Sequence, residues 1–415
     1  MDTNPQKAER GWPAVVVAGA FQTGVVLMRN LARRGITAYC IDPNPKQPGF
    51  QTIYGTAYQC PHPDDEPAKW LHFMVDLRAR IGSKAALIPS SDQFVSAIGY
   101  HAAELEKHFL FCQSSAAVQA LLATKQRQYE IADKHGLPVP YTRFVQTREE
   151  VAAFAAEARF PCILKPLHFR EWKRIPSAHP LFEKKLIVAD SPEDLRKQYE
   201  TAAKINPEVV VQEMIEGPDT AKLVYLSCYN RKSEQIASSI VRQLRTDPIY
   251  FGSASVVEPV ADPETDALCD NFLRSISYVG LCEIELKRDT RDGRIKMIEA
   301  NPRYSVTADA ATYAGVDLGW IHYLDLIGQR VSPVHPESRY FRHIVLFRDF
   351  AAARSYRKEG LLTWRDIVRS YRGPVAFFDF DWRDWRVTAR TVVQLAKLLV
   401  GPTLRRVFPK RGYQP

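Results

Sequence analysis

None of the seven cysteines, at 40, 60, 112, 162, 228, 269 and 282, lies in a Cys-x-x-Cys pair. This removes the local zinc and dithiol signatures. The scattered thiols are expected to be mostly reduced and buried, as in a cytosolic protein. No apolar run is long enough to span a bilayer. The first ten residues, Met-Asp-Thr-Asn-Pro-Gln-Lys-Ala-Glu-Arg, have no apolar core and do not read as a signal peptide. No convincing internal repeat or low-complexity tract is present. Two phosphate-binding glycine motifs are also missing. The turn Gly19–Gly24 is followed by Val25-Val26, where a P-loop needs Lys-Ser/Thr. Its spacing is not the Gly-x-Gly-x-x-Gly of a dinucleotide fold either. Asp42, at the end of the next strand pattern, resembles a ribose-binding acid, so an NAD-linked oxidoreductase built on residues 14–42 stays as an alternative.

What is present is a 415-residue chain, long enough for two or three domains. Its 46% apolar and 25% charged residues are ordinary for a globular protein. The formal net charge of +9 is unevenly placed. Residues 351–415 hold 14 Lys/Arg and 5 Asp/Glu, so this region carries the excess and the first 350 residues are balanced.

The N-terminal part reads as alternating strands and helices. Ala14–Ala18, Ile36–Asp42 and Ala85–Pro89 are short apolar runs suited to a buried parallel sheet. Val25–Arg34 between the first two has helical spacing, with Gly35 as its stop. Ligands of open α/β sheets bind outside the strand C-termini, which makes Gln22, Thr23, Ser91 and Asp92 candidate substrate-binding residues. Turn and helix-cap chemistry explains the same residues equally well.

Further on, Cys282–Lys287 and Arg294–Ala300 both alternate, with Arg291-Asp-Gly293 supplying a turn. This is a β-hairpin on which Glu285 and Glu299 can meet. Glu283 shares a face with Glu285, and parity does not choose between them. Two carboxylates and the amide oxygen of Asn301 suit a hard cation such as Mg²⁺. Arg303 suits a carboxylate or phosphoryl group. Upstream, Lys165 sits inside the apolar strand Phe160–Pro166, where an ammonium needs an anionic partner. A triphosphate would serve.

Taken together, Glu285, Glu299-Ala-Asn301-Pro-Arg303 and Lys165-Pro166 resemble the ATP-grasp superfamily. The likeness is to the carboxylate–amine ligase type, similar to carbamoyl-phosphate-synthase-like and D-aspartate-ligase-like members. It covers most of residues 12–330. The resemblance implies an α/β fold in three parts. A Rossmann-like pre-ATP-grasp domain spans 1–115, a two-lobed α+β ATP-grasp module 116–335, and a basic aromatic and helical extension 336–415. It implies that Lys125, opening a helix that ends at Gly136-Leu-Pro-Val-Pro140, and Lys165 hold phosphates. Gln212, Glu213, Met214 and Ile215 would form the adenine hinge and Asp219 the ribose acid. Glu285, Glu299 and Asn301 would hold one or two Mg²⁺ ions, for which Mn²⁺ can substitute. Arg303, Arg242 and Arg245 would serve the transferring phosphoryl or the substrate carboxylate, although a solvated pair explains Arg242 and Arg245 equally. His168, Arg170 and Lys173 lie where the family has a loop closing over the phosphates, but this loop has no glycine.

The implied activity is amide formation from a small-molecule carboxylate and an amine through an acyl phosphate, releasing ADP and phosphate. A non-catalytic ATP-binding protein, a carboxylase and a phosphotransferase are the alternatives. At the C-terminus, Thr388–Phe408 reads as an amphipathic helix, with Val392, Val393, Leu395, Leu398 and Leu399 on its apolar face. Arg390, Lys397, Arg405 and Arg406 flank that face. Such a helix packs on its own core or on a second subunit, as in a homodimer, or lies on an anionic membrane. Nucleic acid is not expected as a partner. The expected location is cytoplasmic, or peripheral to a membrane.

Overall fold

The computed structural model describes residues 11–112, 118–119, 122, 124–167, 172, 174–182, 184–337, 340–393 and 395–396. The chain divides into two compact units: Met1–Thr124, Pro218–Leu286 and Glu299–Pro415 form the first, Lys125–Gly217 and Lys287–Ile298 the second.

The first unit opens with a parallel sheet. Its strands are β1 (Val15–Ala18), β2 (Ala38–Asp42), β3 (Thr56–Gln59), β4 (Ala85–Pro89) and β5 (Phe109–Leu110), in the order β3-β2-β1-β4-β5. The valines of β1 are fully buried, which is why this run of β-branched residues forms the central strand. The helix after β1 runs Gln22–Ala32, starting three residues before the apolar pattern suggested. Gly19 before this helix and Gly24 in its first turn serve close packing. Gly19 has φ +115°, and a Cβ there would lie 2.5 Å from Ser90 Oγ; a Cβ on Gly24 would lie 2.0 Å from the Gly19 carbonyl oxygen. Asp42 is buried, and its carboxylate accepts the Ala20 and Asn44 N–H groups at 3.0 and 2.9 Å. These bonds hold the turn and give Asp42 a structural role that needs no ribose.

The second unit holds an antiparallel sheet of β6 (Thr142–Val145), β7 (Cys162–Pro166), β8 (Ile187–Ala189) and β9 (Val209–Glu213), in the order β6-β9-β7-β8. Helices Arg148–Glu157 and Pro192–Ala203 start where the chain supplies caps. Thr147 and Glu150 form a capping box, and Ser191 accepts the Asp194 N–H. Val151, Phe154, Leu195 and Tyr199 from these helices pack with Cys162, Leu164, Val209 and Val211 of the sheet.

The first unit also contains most of a second sheet. Its strands are β10 (Lys222–Tyr229), β11 (Gln235–Asp247), β12 (Ser253–Pro259), β13 (Gly280–Arg288), β14 (Ile295–Asn301), β15 (Arg342–Ile344) and β16 (Val375–Phe377), in the order β14-β13-β10-β11-β12-β15-β16. The hairpin tip, Lys287–Ile298, groups with the second unit. One core joins Val15, Val17 and Leu27 of the parallel-sheet layer to Val224, Leu226 and Val241, with Tyr304, Trp320 and Tyr323 between them.

The residues after 336 are more than a helical extension. They add β15 and β16 to the seven-stranded sheet and place helices Leu346–Lys358 and Trp364–Ser370 beside it. A buried ion pair explains the attachment. Asp349 is fully buried and accepts from Arg245 Nε at 2.8 Å and Nη2 at 2.7 Å, from Ser255 Oγ at 2.7 Å, and from the Tyr371 hydroxyl. This corrects the expectation for Arg245: its fork is consumed by a carboxylate of the same chain and is not open to a substrate. Arg242 is likewise bonded to Glu258, its cross-strand partner on β12, although its side chain is 44% exposed.

The final helical segment starts at Trp385. Val387, Thr388 and Thr391 are its buried residues, whereas Val392 and Val393 are about half exposed, contrary to the expected apolar face. Residues 397–408, with Lys397, Leu398, Leu399, Arg405 and Arg406, lie outside the described residues. No helix among the described residues is long and apolar enough to cross a membrane.

Replacing Arg245 with Leu strands a buried carboxylate and is expected to cost about 3–5 kcal/mol. Arg242→Leu, at a half-exposed pair, should cost no more than about 1 kcal/mol. Urea denaturation of both variants measures the contrast, and equal losses would refute the assignment.

Candidate functional site

β14 ends on Asn301, and the chain then turns through Pro302-Arg303. The Asn301 amide is oriented from both sides. Its Nδ2 donates to Glu283 Oε1 at 3.1 Å, and its Oδ1 accepts from Arg303 Nη2 at 3.4 Å. Glu283 is buried, and its second oxygen accepts from the Thr307 hydroxyl. Both oxygens of Glu283 are thus occupied in holding Asn301 and the following turn. Glu285 and Glu299 are only partly buried, on neighbouring strands. Parity had put Glu283 and Glu285 on one face; the structure separates them by their partners. Thr307 had no sequence signal at all.

Arg303 Nε donates to Asp92 Oδ1 at 2.5 Å. Two residues predicted separately, 211 positions apart, therefore meet. Burial opposes the charge of Arg303, but Asp92, with Glu283 and Glu299 beyond it, holds its pKa above the ordinary arginine value. Arg348 shows the opposite balance. Burial pushes it below the ordinary value, against the pull of Asp379, Asp247 and Glu285. This arginine near Glu285 was not anticipated.

In the second unit, Lys165 lies on β7 and its Nζ donates to Gln212 Oε1 at 3.2 Å. Gln212 is buried on the neighbouring strand β9 and donates in turn to Thr142 Oγ1 at 2.8 Å. The ammonium also stands 5.8 Å from the centroid of the Tyr129 ring. The chain Thr142–Gln212–Lys165 aims the lysine. Lys125 is exposed at the first position of helix Lys125–Lys134.

The expected adenine hinge is partly engaged already. The Glu213 and Met214 N–H groups donate to the carbonyls of Tyr141 and Pro161, at 2.9 and 3.0 Å. The Met214 carbonyl accepts from Arg291 Nη2 at 2.8 Å. Of the main-chain polar groups expected on the adenine edge, these three are taken by the protein: the two N–H groups by the residues leading into β6 and β7, which flank β9, and the carbonyl by the Arg291 side chain. The side chain of Ile215 is buried. The hairpin tip is tied down beside it. Asp289 accepts from Arg291 Nε at 3.0 Å and from Lys296 Nζ at 2.7 Å. Burial disfavours this carboxylate, but those bonds outweigh it and hold it well below the usual range.

Three further expectations change. Asp219 is buried and pairs with Lys222 Nζ at 2.9 Å, while accepting from the Tyr356 hydroxyl, from Thr246 Oγ1 at 2.9 Å and from the Tyr250 N–H at 3.0 Å. Its carboxylate braces β11 and helix Leu346–Lys358 rather than presenting itself to ribose hydroxyls. Gln22 faces a cavity of about 20 Å³ that Phe378, Asp379, Asp384 and Thr388 close, and Thr23 is buried. The C-terminal segment therefore covers this strand end. Ser91 precedes helix Asp92–Tyr100 at the N-cap position, with no side-chain cap bond. His168, Arg170 and Lys173 lie outside the described residues.

No family model matches the chain. It is 27% identical over 247 residues to D-aspartate ligase from Enterococcus faecium (strain Aus0004), covering 57% of each chain. The chain thus spans less than two-thirds of that relative's length. Among solved structures, the biotin carboxylase domain of Hydrogenobacter thermophilus 2-oxoglutarate carboxylase superposes with a TM-score of 0.61 at 17% identity, over 80% of this chain and 74% of that one. N5-carboxyaminoimidazole synthetase from Staphylococcus aureus gives 0.60 at 15% identity, over 80% and 81%. The chain has the ATP-grasp fold. The superfamily resemblance read from the sequence is matched by this fold.

Beneath Arg303 lies a cavity of about 20 Å³, lined by Pro89, Cys112, Tyr278, Gly280 and His322. Burial lowers the His322 pKa to about 4. A histidine depressed on folding is neutral in the native state. Its contribution is intact above the unfolded pKa of about 6.5 and is lost as pH falls towards the folded value. Relative to a His322→Gln variant, the wild type should lose up to about 3 kcal/mol of stability between about pH 6.5 and about pH 4. Parallel pH–stability curves for the two proteins would refute this.

Proposed function

We propose that the protein is an ATP-dependent carboxylate–amine ligase. One observation carries the reading: the Glu283–Asn301–Arg303–Asp92 arrangement at the end of β14, which orients an amide oxygen and a guanidinium at one strand terminus. The similarity to a D-aspartate ligase supports the same class. The assignment of residues 1–115, 116–335 and 336–415 to a Rossmann-like domain, an ATP-grasp module and an extension belongs to this proposal.

The residues suit MgATP. Glu285, Glu299 and Asn301 offer oxygen donors, and among the described residues no three His, Cys, Asp or Glu side chains form an all-protein cage. Mg²⁺ commonly takes one or two carboxylates and completes its shell with water and phosphate oxygens. When bound, it would neutralise charge on the β- and γ-phosphates. Lys125 and Lys165 would hold phosphate oxygens, with Gln212 keeping Lys165 extended. A substrate carboxylate would attack the γ-phosphorus, and ADP would leave. An amine would then attack the acyl carbon, lose a proton and displace phosphate. Arg303 would steady the negative oxygens of the acyl phosphate and of the tetrahedral species. Asp92 is its resting partner, which a substrate carboxylate would replace. The chemistry is positioning and charge neutralisation, with no protein nucleophile.

The test is phosphate release from MgATP with amino acids supplied singly and in pairs, and with bicarbonate. Release that needs a carboxylate and an amine together is expected. Lys165→Met should raise the KM for ATP roughly 10–100-fold, the equivalent of one charge-assisted bond. Glu299→Gln should lower kcat by roughly 100-fold or more. Release that depends on bicarbonate alone would favour a carboxylase. ATP binding without release under any condition would favour a non-catalytic role.

A further inference from the structure

β15 and β16 form the end of the seven-stranded sheet opposite the β13–β14 hairpin. Helix Leu346–Lys358 leads there through Gly360, at φ +72°, into helix Trp364–Ser370. This second helix has a clear inside and outside. Ile367 is buried, whereas Trp364 and Val368, four residues apart, are 49% and 52% exposed; Leu361 just before the helix is 47% exposed. Three large apolar side chains thus protrude from one turn and one short helix.

Cations surround them. Residues 354–372 hold six Lys/Arg and two Asp/Glu. One of the two acids, Asp366, is engaged in the helix cap, accepting the Thr363 N–H at 2.9 Å and the Thr363 hydroxyl at 2.5 Å. On one side, Arg342, Arg365, Arg369 and Arg372 line an open cavity of about 670 Å³, walled by Tyr340 and Val368. On the other, Arg354, Arg357 and Lys358 line a cavity of about 440 Å³ with Trp364, over whose ring Arg357 stands at 5.0 Å. Among the described residues, neither cavity has a carboxylate in its lining. Like charges gathered around empty space repel one another unless an anion enters, and guanidinium groups match phosphate oxygens in pairs.

We propose that the surface Leu361–Pro374 docks on an anionic lipid bilayer. Leu361, Trp364 and Val368 enter the interfacial layer, and Arg365, Arg369 and Arg372 hold lipid phosphates. Protruding apolar side chains ringed by cations, with a tryptophan among them, are what an anionic interface recognises. A nucleic acid would use the cations but would leave Leu361 and Val368 without an apolar phase to enter. This surface belongs to a different element from 388–408, where membrane contact was expected and of which residues 397–408 lie outside the described residues. The inference does not rest on ligase activity, since vesicle binding is measured without ATP.

The test is co-sedimentation of the full chain with phosphatidylcholine vesicles, with and without about one-third phosphatidylglycerol. Binding only to the anionic vesicles, weakening as salt is raised, is expected. Arg365→Gln/Arg369→Gln and, separately, Trp364→Ser should each weaken it roughly tenfold or more. Trp382→Ser/Trp385→Ser, at exposed tryptophans elsewhere, should leave it unchanged. All these side chains are exposed, so melting temperatures should match the wild type and keep loss of fold separate from loss of binding. No binding to anionic vesicles would overturn the proposal, as would loss in the Trp382/Trp385 variant with the Trp364 variant unaffected. Displacement by inorganic pyrophosphate, with Trp364→Ser binding as tightly as wild type, would reduce the surface to a soluble-phosphate site and overturn bilayer docking.

Discussion

The carboxylate of Asp349, fully buried and held by the fork of Arg245, is the constraint on which the large sheet depends. A charge removed from water needs a partner of matched geometry, and here it has four donors: two from Arg245, one from Ser255 and one from Tyr371. Those donors come from β11, β12 and the segment after helix Trp364–Ser370. The pair therefore draws the C-terminal region onto the sheet and lets β15 and β16 extend it. A neighbouring network around Asp219, with Lys222, Thr246 and Tyr356, ties helix Leu346–Lys358 to the start of β10. The β13–β14 hairpin lies at the opposite end of the same sheet.

In each unit the candidate residues are held in place by neighbouring side chains. Glu283 and Thr307 set the Asn301 amide, Asp92 sets Arg303, and Thr142 with Gln212 sets Lys165. Positioning of this kind matters for phosphoryl transfer, where a protein contributes mainly by placing charge before the reaction begins. Glu283, Thr307 and Gln212 are buried, so their hydrogen bonds are strong and their loss would be felt at the groups they hold, whereas Asp92 is exposed.

The acids of the aromatic run after Phe377 show how misleading a local pattern can be. Phe-Asp-Phe-Asp-Trp suggests apolar residues inside and acids outside. The structure inverts this: Asp379, Asp381 and Asp384 are buried, while Phe380, Trp382 and Trp385 are exposed. Asp381 bonds Arg33 and Tyr54, and Asp384 bonds Thr52. Asp379 accepts the Phe347 N–H 32 positions away, whereas Asp381 and Asp384 each found a partner more than 300 positions away, which no local rule can supply.

Much of the fold was legible in short patterns. The valine run of β1, the apolar β4, the alternation of the β13–β14 hairpin and Gly293 at its turn all follow from side-chain period and backbone freedom, which are local properties. The sequence by itself also determined that Lys165 would stand in an apolar strand and that Glu299, Asn301 and Arg303 would share a strand end, because spacing alone dictates it. Only the tertiary structure decided which charges were committed. Arg245 and Arg303 look alike in sequence, yet one is closed around a buried carboxylate and the other sits at the site with an exposed aspartate. Glu283 and Glu285 share a parity, yet one serves as an internal brace. The physical reason is that an ionic side chain takes its role from the partner that desolvates with it, and that partner is chosen by the packing of distant segments.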